Sequence, residues 1–218
     1  MIKWIVGAFS GVCLFTSSVF AEPIDASVLA LQHAWATANY KVADDKKEAA
    51  FKALVDKATT LNHQYADRPE PKIWEAIIRA SYAGAMGGIS SMFDAMPQMK
   101  QGRDLLLAAE KQNAKAMHGS VYTTLGSFYY MVPGGFIGFG DDAQALTYLK
   151  KALVIAPDDM DANYFMGDYW LEQKQYKKAL PYFEKVIALP VVENRPVYSV
   201  GRKAEAAIKL TKVKKHIR

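Results

Sequence analysis

The sequence predicts an all-α fold, a stack of antiparallel helix pairs closed by a C-terminal capping helix, and three observations predict it. Ala145, Leu149, Ala152 and Pro157 recur as Ala179, Phe183, Val186 and, one residue early, Pro190, so one pattern of small and large residues is written twice. Between the two sets lie Gly167 and Trp170, with Met166 beside the glycine. An earlier set, Tyr122, Leu125, Gly126 and Tyr129, carries the same order of bulky and small residues on a preceding helix. Two antiparallel helices approach closely only where small residues face each other, and larger neighbours fill the gaps on either side. The pattern is therefore one of helical hairpins.

Taken in order, the chain opens with Met1-Ile2-Lys3, an apolar stretch from Trp4 to Phe15, and Ser17-Ser18-Val19-Phe20-Ala21. Residues 1–21 read as a secretory signal cut after Ala21. A retained anchor is the alternative, but the apolar stretch falls short of the ~20 residues a spanning helix needs. Cys13, the one cysteine of the chain, lies in this segment and lacks the residues expected before a lipidated cysteine. Residues 22–218 then form one helical domain without a disulfide, stabilised by burial alone. The hydrophobic content of 51% allows a sizeable core.

The first hairpin of that domain runs over about 26–65, ended by Pro69 and Pro71. The second covers 71–112, with Trp74 and Ile77 as bulky positions and an addition around Gly87, Gly88 and residues 90–99. The third covers 119–155. Its Gly126 and Ala145 lie farther apart in the chain than the equivalent Gly167 and Ala179, which places an insertion in Met131 to Gly140, with Asp141 or Asp142 set to cap the next helix. The fourth covers 160–189. Arg195-Pro196 then opens the capping helix, 197–214, with Val200, Ala204, Ala207 and Leu210 on one face.

The interval from Ala145 to Ala179 resembles the period of the tetratricopeptide (TPR) repeat, about 34 residues. The runs Ser81 to Gly88, Gly119 to Tyr130, Val132 to Asp142, Asp161 to Asp168 and Asn194 to Lys203 are similar to those of an uncharacterised family of exported proteobacterial TPR proteins. More distantly, the layout is similar to the periplasmic TPR component of tripartite substrate-binding transporters. The resemblance implies a TPR-type solenoid, export to the periplasm, and no established activity. Asn163 departs from the pattern, standing where a large aromatic is usual.

The formal charge of the chain is +5, and residues 202–218 hold seven basic residues against Glu205. The basic excess belongs to the tail, which is a candidate for weak contact with an anionic surface, and no nucleic-acid partner is expected. No cofactor or metal is expected either. The Gly-rich stretch 134–140 leads into Asp141 where a phosphate-binding loop needs Lys, and a carboxylate there repels phosphate. Asp159, Asp161 and Asn163 alternate like a calcium loop but meet Tyr164 and Trp170 at the positions of its Gly and Glu, so they read as helix capping. His33, His63, His118 and His216 are scattered, and no catalytic set emerges.

Binding residues can still be chosen. In the TPR register the concave positions are Lys72, Glu75, Arg79 and Tyr82, then Ser120, Thr123, Ser127 and Tyr130, then Asp161, Tyr164, Asp168 and Glu172. Tyr82, Tyr130 and Tyr164, with Asp168, suit recognition of a peptide or loop, since aromatic anchors supply most binding energy at interfaces. Met92, Met96 and Met99 form one helical stripe, a core feature, an adaptable protein-binding surface, or a thioether set for Cu(I). Phe136 and Phe139 pack on neighbouring helices or contact a partner. Two functions follow: a non-catalytic periplasmic scaffold for another envelope protein or peptide segment, or a small-ligand or transport-associated binding protein with a pocket under the insertions. An open groove would favour the first and an enclosed apolar cavity the second.

Overall fold

A computed structural model describes residues 23–86 and 91–217, and of these the side chains of Pro23, Ser91 and Met92 are left aside. The predicted leader, Cys13, and Gly87 and Gly88 lie outside the described residues. The described chain is all-helical: α1 (Pro23–Tyr40), α2 (Asp44–Gln64), α3 (Pro69–Ala85), α4 (Ser91–Asn113), α5 (Ala116–Met131), α6 (Asp142–Ile155), α7 (Met160–Glu172), α8 (Tyr176–Ala188) and α9 (Pro196–His216). None of these is long and apolar enough to cross a membrane.

Local chemistry sets the helix starts. Asp141 caps α6 by accepting from Gln144 N at 2.9 Å, and Asp159 caps α7 by accepting from Ala162 N at 2.8 Å. Pro69 and Pro196 open α3 and α9, where a missing N–H costs nothing. Asn163 turns its amide back onto the carbonyls of Pro157 and Asp159 at 2.8 and 2.7 Å, so the residue that replaces an aromatic braces the start of α7.

Each helix packs on the next in the chain, and a second set of contacts links α1 to α3, α3 to α5, α5 to α7 and α7 to α9. A further contact joins α9 to α1. The five odd-numbered helices therefore form a closed ring of contacts, and α2, α4, α6 and α8 each pack against two neighbouring members of it. Small-for-large contacts set the spacing within two of the pairs. A methyl group on Gly126 would sit 2.6 Å from Leu149 Cγ, and one on Gly167 would sit 3.1 Å from the Phe183 ring. Ala145, Leu149, Ala152, Ala179, Phe183 and Val186 are all fully buried.

The insertion after α5 leaves that packing undisturbed because its two ends are tied together. Asp141 N donates to Tyr129 O at 2.8 Å and Gly140 N to Pro133 O at 3.0 Å. The loop between bulges outward, with Gly135 in the left-handed region at φ 71°. The described part of the second addition, residues 91–99, is helical and forms the first turns of α4, which runs without interruption through Pro97. These two additions meet: a methyl group on Gly138 would lie 3.2 Å from Met96 Cε.

Closure of the ring depends on α9. Trp35 of α1 lies edge-on to Tyr40 and Trp74 and 6.4 Å from Tyr198, and Tyr40 Oη donates to Glu205 Oε2 at 3.3 Å. Gly201 is placed where any side chain would run into the Tyr40 ring. The basic tail is part of this structure and not an appendage. Val213 is fully buried, His216 stacks on Tyr176 at 4.3 Å and Lys214 pairs with Glu184 at 3.1 Å.

Candidate functional site

The ring of helices surrounds a cavity of about 1190 Å³ that is partly open to solvent. Its walls are chemically divided. Trp35 and Asn39 of α1, Trp74, Ile77, Ala80 and Ser81 of α3, and Met96 and Met99 of α4 make a largely apolar side, joined by Met117 and Phe128 of α5. Ser120, Thr123 and Ser127 of α5, Asp161, Tyr164 and Asp168 of α7, and Arg195, Tyr198, Arg202, Glu205 and Lys209 at the start and along α9 make the polar side. Val132 and Pro133, from the insertion after α5, also line it.

Most charges on the polar side are matched within the protein. Arg202 is 7% exposed and lies between two carboxylates, with Nη1 2.6 Å from Glu205 Oε2 and Nε 2.8 Å from Asp161 Oδ1. The second contact is an ion pair whose angle falls short of a hydrogen bond. The guanidinium also covers the Tyr164 ring at 4.3 Å and the Phe165 ring at 5.2 Å. Burial opposes the charge on Arg202, but Asp161, Tyr40 and Glu205 around it hold the guanidinium ionised beyond the usual Arg range. Deeper in, Asp168 pairs with Lys209 and accepts from Tyr130 Oη at 2.9 Å. Burial first, and the negative Asp168 second, keep the Tyr130 phenol protonated well above its usual range.

Asp159 sits at the rim where the α6–α7 turn enters the cavity lining. Burial and the neighbouring Asp161 raise its carboxyl to about 6 from the ordinary 3.8, against the opposing pull of the Ala162 N–H. Facing it is the first turn of α5, where Met117, His118 and Gly119 all have positive φ, 49°, 57° and 77°. Two non-glycine residues held left-handed cost roughly 1–2 kcal/mol each, and such strain concentrates at sites with a function to serve.

The residues chosen from sequence divide between this cavity and other places. Tyr164, Asp168 and Met96 line it, whereas Tyr130 reaches it only through its bond to Asp168. Tyr82 lies half-buried against the core outside the lining, and the side chain of Met92 lies outside the described residues. Phe139 packs on Tyr129 at 5.7 Å with the Arg103 guanidinium 4.6 Å from its ring centre. Phe136 does not share that packing: it stands fully in solvent at the outermost point of the loop, 111% exposed relative to an extended reference.

The register of α3 needs a correction. Lys72, Glu75 and Arg79 do not face the cavity. Glu75, 2% exposed, accepts from Thr59 Oγ1 at 2.9 Å, Asn62 Nδ2 at 2.7 Å and Arg79 Nη2 at 2.7 Å. Arg79 continues to Gln98 Oε1 at 2.7 Å, so this network ties α3 to α2 and α4. Lys72 donates to the carbonyls of Ala66 and Arg68 and closes the α2–α3 connection. The cavity face of α3 is instead the one bearing Trp74, Ile77 and Ser81, of which the first two were read as packing positions. The α9 contribution was missed altogether, although Tyr198, Arg202, Glu205 and Lys209 recur at spacings of four, three and four.

No group of three or more His, Cys, Asp or Glu among the described residues is arranged to hold a metal ion. No protein-family model matches the chain. No curated protein matches it either.

Proposed function

We propose that this chain is a non-catalytic, TPR-type binding protein that takes a small ligand into the partly open cavity within its ring of five helices. One observation carries the choice between the two functions the sequence left open: α9 contacts α1, so the space between the helices is walled on all sides by the odd-numbered helices, as a partly open cavity rather than a groove along one face. Its volume, about 1190 Å³, slightly exceeds the roughly 300–1,000 Å³ usual for ligand pockets, and its combination of apolar walls with a few placed polar groups is the usual composition of such sites. Support for the TPR-type solenoid comes from the two equivalent contacts, Gly126 on Leu149 and Gly167 on Phe183. Periplasmic export belongs to the same reading and rests on residues 1–21.

Mass spectrometry under native conditions tests it on protein purified from the envelope of expressing cells. A released small molecule that is lost in a cavity-filling variant, Ser127→Phe, with an unchanged melting temperature supports the cavity reading. A protein that emerges empty, and binds no apolar probe in either form, overturns it. The scaffold function stands as the second reading on a separate observation, the exposed Phe136 on a loop whose base lines the cavity. Capture of an envelope protein that Phe136→Ser abolishes, with ligand binding intact, would assign the loop to docking.

A further inference from the structure

Two charged groups of the cavity, Asp159 and Arg195, have no partner of opposite charge, and the rest are paired by the protein. Asp161 and Glu205 meet Arg202, Asp168 meets Lys209, and Asp158 meets Lys185 at 2.8 Å. Asp159 takes the N–H of Ala162. Arg195 has no carboxylate partner among the described residues, and its guanidinium makes no hydrogen bond to them; its Nε is buried without an acceptor. What holds it is aromatic: its Cζ lies 4.0 Å from the Tyr198 ring centre and 5.4 Å from that of Trp74. Trp74, only 4% exposed, also leaves its Nε1–H without an acceptor. Buried donors without acceptors are rare and costly, so two that meet where the apolar and polar sides join point to an absent acceptor.

The location adds a third source of positive potential. Arg195 is the residue before α9, a helix of 21 residues with no side-chain cap, so the positive end of the helix dipole lies at its backbone. Against this, Arg202 faces two carboxylates and leaves that cluster one charge negative. One unmatched cation beside a net-negative cluster accommodates a single negative charge and disfavours two. Beyond the guanidinium lie Trp35, Trp74, Met96, Met99 and Met117, polarisable and adaptable surfaces with nothing to offer a polar body.

Resting on the cavity reading above, we infer that the ligand is an apolar monocarboxylate whose head group is held by Arg195 and whose body lies along the tryptophan and methionine wall. Arg195 supplies a planar pair of donors to a carboxylate, an arrangement that an ammonium cannot reproduce.

Isothermal titration calorimetry with four probes of one chain length tests this: dodecanoate, dodecanol, dodecylammonium and dodecyl phosphate, at pH 8. The wild-type protein is expected to bind dodecanoate at least tenfold more tightly than any of the other three. Arg195→Gln is expected to lower dodecanoate to the affinity of dodecanol while leaving dodecanol binding unchanged. Equal binding of acid and alcohol by the wild type, tighter binding of the phosphate, or a preference that survives Arg195→Gln would overturn the assignment. The probe comparison on the wild type stands even if that variant misfolds, and Arg195→Lys gives a second check, with its dodecanoate affinity expected between those of the other two forms. Binding of dodecanol without a preference for the acid sinks the head-group assignment alone, whereas no binding of any probe sinks the cavity reading with it.

Discussion

Replacing Gly126 by alanine probes the closest helix contact that a single methyl group can disturb. The added Cβ would lie 2.6 Å from Leu149 Cγ, 2.8 Å from Leu149 Cδ2 and 3.2 Å from the Leu149 backbone nitrogen. Carbon atoms pack best at about 3.5–4.0 Å, so the shortfall is close to 1 Å against a side chain with no free space around it. Because the backbone of α6 is also in the way, rotating Leu149 gives incomplete relief. Overpacking of this kind costs about 1–3 kcal/mol, and alanine returns roughly 0.5–1 kcal/mol through its better helix propensity. The expected result is a net loss of about 1–2 kcal/mol, a fall in Tm of roughly 2–8 °C for a chain of this size.

Two companion glycines calibrate the effect. Gly84→Ala meets nothing within 4 Å and should hold stability level or raise it slightly, while Gly167→Ala, 3.1 Å from the Phe183 ring, should fall between. Urea unfolding of the double variant Gly126→Ala, Leu149→Ala completes the cycle. Leu149→Ala alone should cost about 2–5 kcal/mol, but the cavity it leaves receives the new methyl group, so the pair should lose about 1–2 kcal/mol less than the sum. Additivity within about 0.5 kcal/mol, or a Gly126→Ala protein as stable as Gly84→Ala, would refute the contact.

The carboxyl of Asp159 is raised, chiefly by burial, so the folded state prefers it protonated; its contribution to stability is present below pH 3.8 and is lost as the pH rises through about 6. Asp159→Asn keeps a capping oxygen and should therefore match the wild type in urea midpoint at pH 3.5 but exceed it at pH 8, by up to about 2–3 kcal/mol; equal midpoints at both would refute the burial. Deleting Lys212 to Arg218 removes the fully buried Val213 and the His216–Tyr176 stack, and should lower stability by about 2 kcal/mol or more in a thermal melt. Changing Lys212 and Lys215 to Gln instead should leave the melt in place, so any loss of binding to anionic vesicles in that variant reports charge alone. Gly201→Leu should wedge α9 away from Tyr40 and open the seam of the ring, read as a raised small-angle scattering radius with helix content retained.

The helical class was legible because its evidence is local. The recurrence of Ala145 as Ala179 and the alternation of small and large residues at helical spacing act between neighbours in sequence, so Gly126, Gly167 and Ala179 could be placed at helix contacts without coordinates. Closure of the ring was not legible. It joins Trp35 and Tyr40 to Tyr198, Gly201 and Glu205, from opposite ends of the described helices, and depends on how small differences in packing angle accumulate over the helices between them. The register of α3 failed for a different reason. Trp74 and Ile77 are large and apolar, as packing residues are, but an apolar cavity wall has the same composition as a core. The four-residue spacing of Glu75 and Arg79 was the available signal, since an ion pair of that kind can be buried whole and free the opposite face for the cavity.

Arg195 and Arg202 show how the same residue type serves two ends in one wall. Seven positions apart, they lie on one side of the helix start, and both cover aromatic rings. Arg202 has two carboxylates and is fixed by the fold; removing it would leave Asp161 and Glu205 facing each other without a counter-charge, a loss of about 3–5 kcal/mol that would register as unfolding. Arg195 has none, so its removal strands no partner, and the fold should tolerate it. A mutational survey of the cavity that treated the two alike would assign binding to both. Comparing the melting temperatures of Arg195→Gln and Arg202→Gln separates them before any ligand is added: the first should stay near the wild type and the second should fall well below it. If Arg195→Gln falls equally far, its guanidinium is part of the scaffold, and the cavity keeps no cation for a ligand.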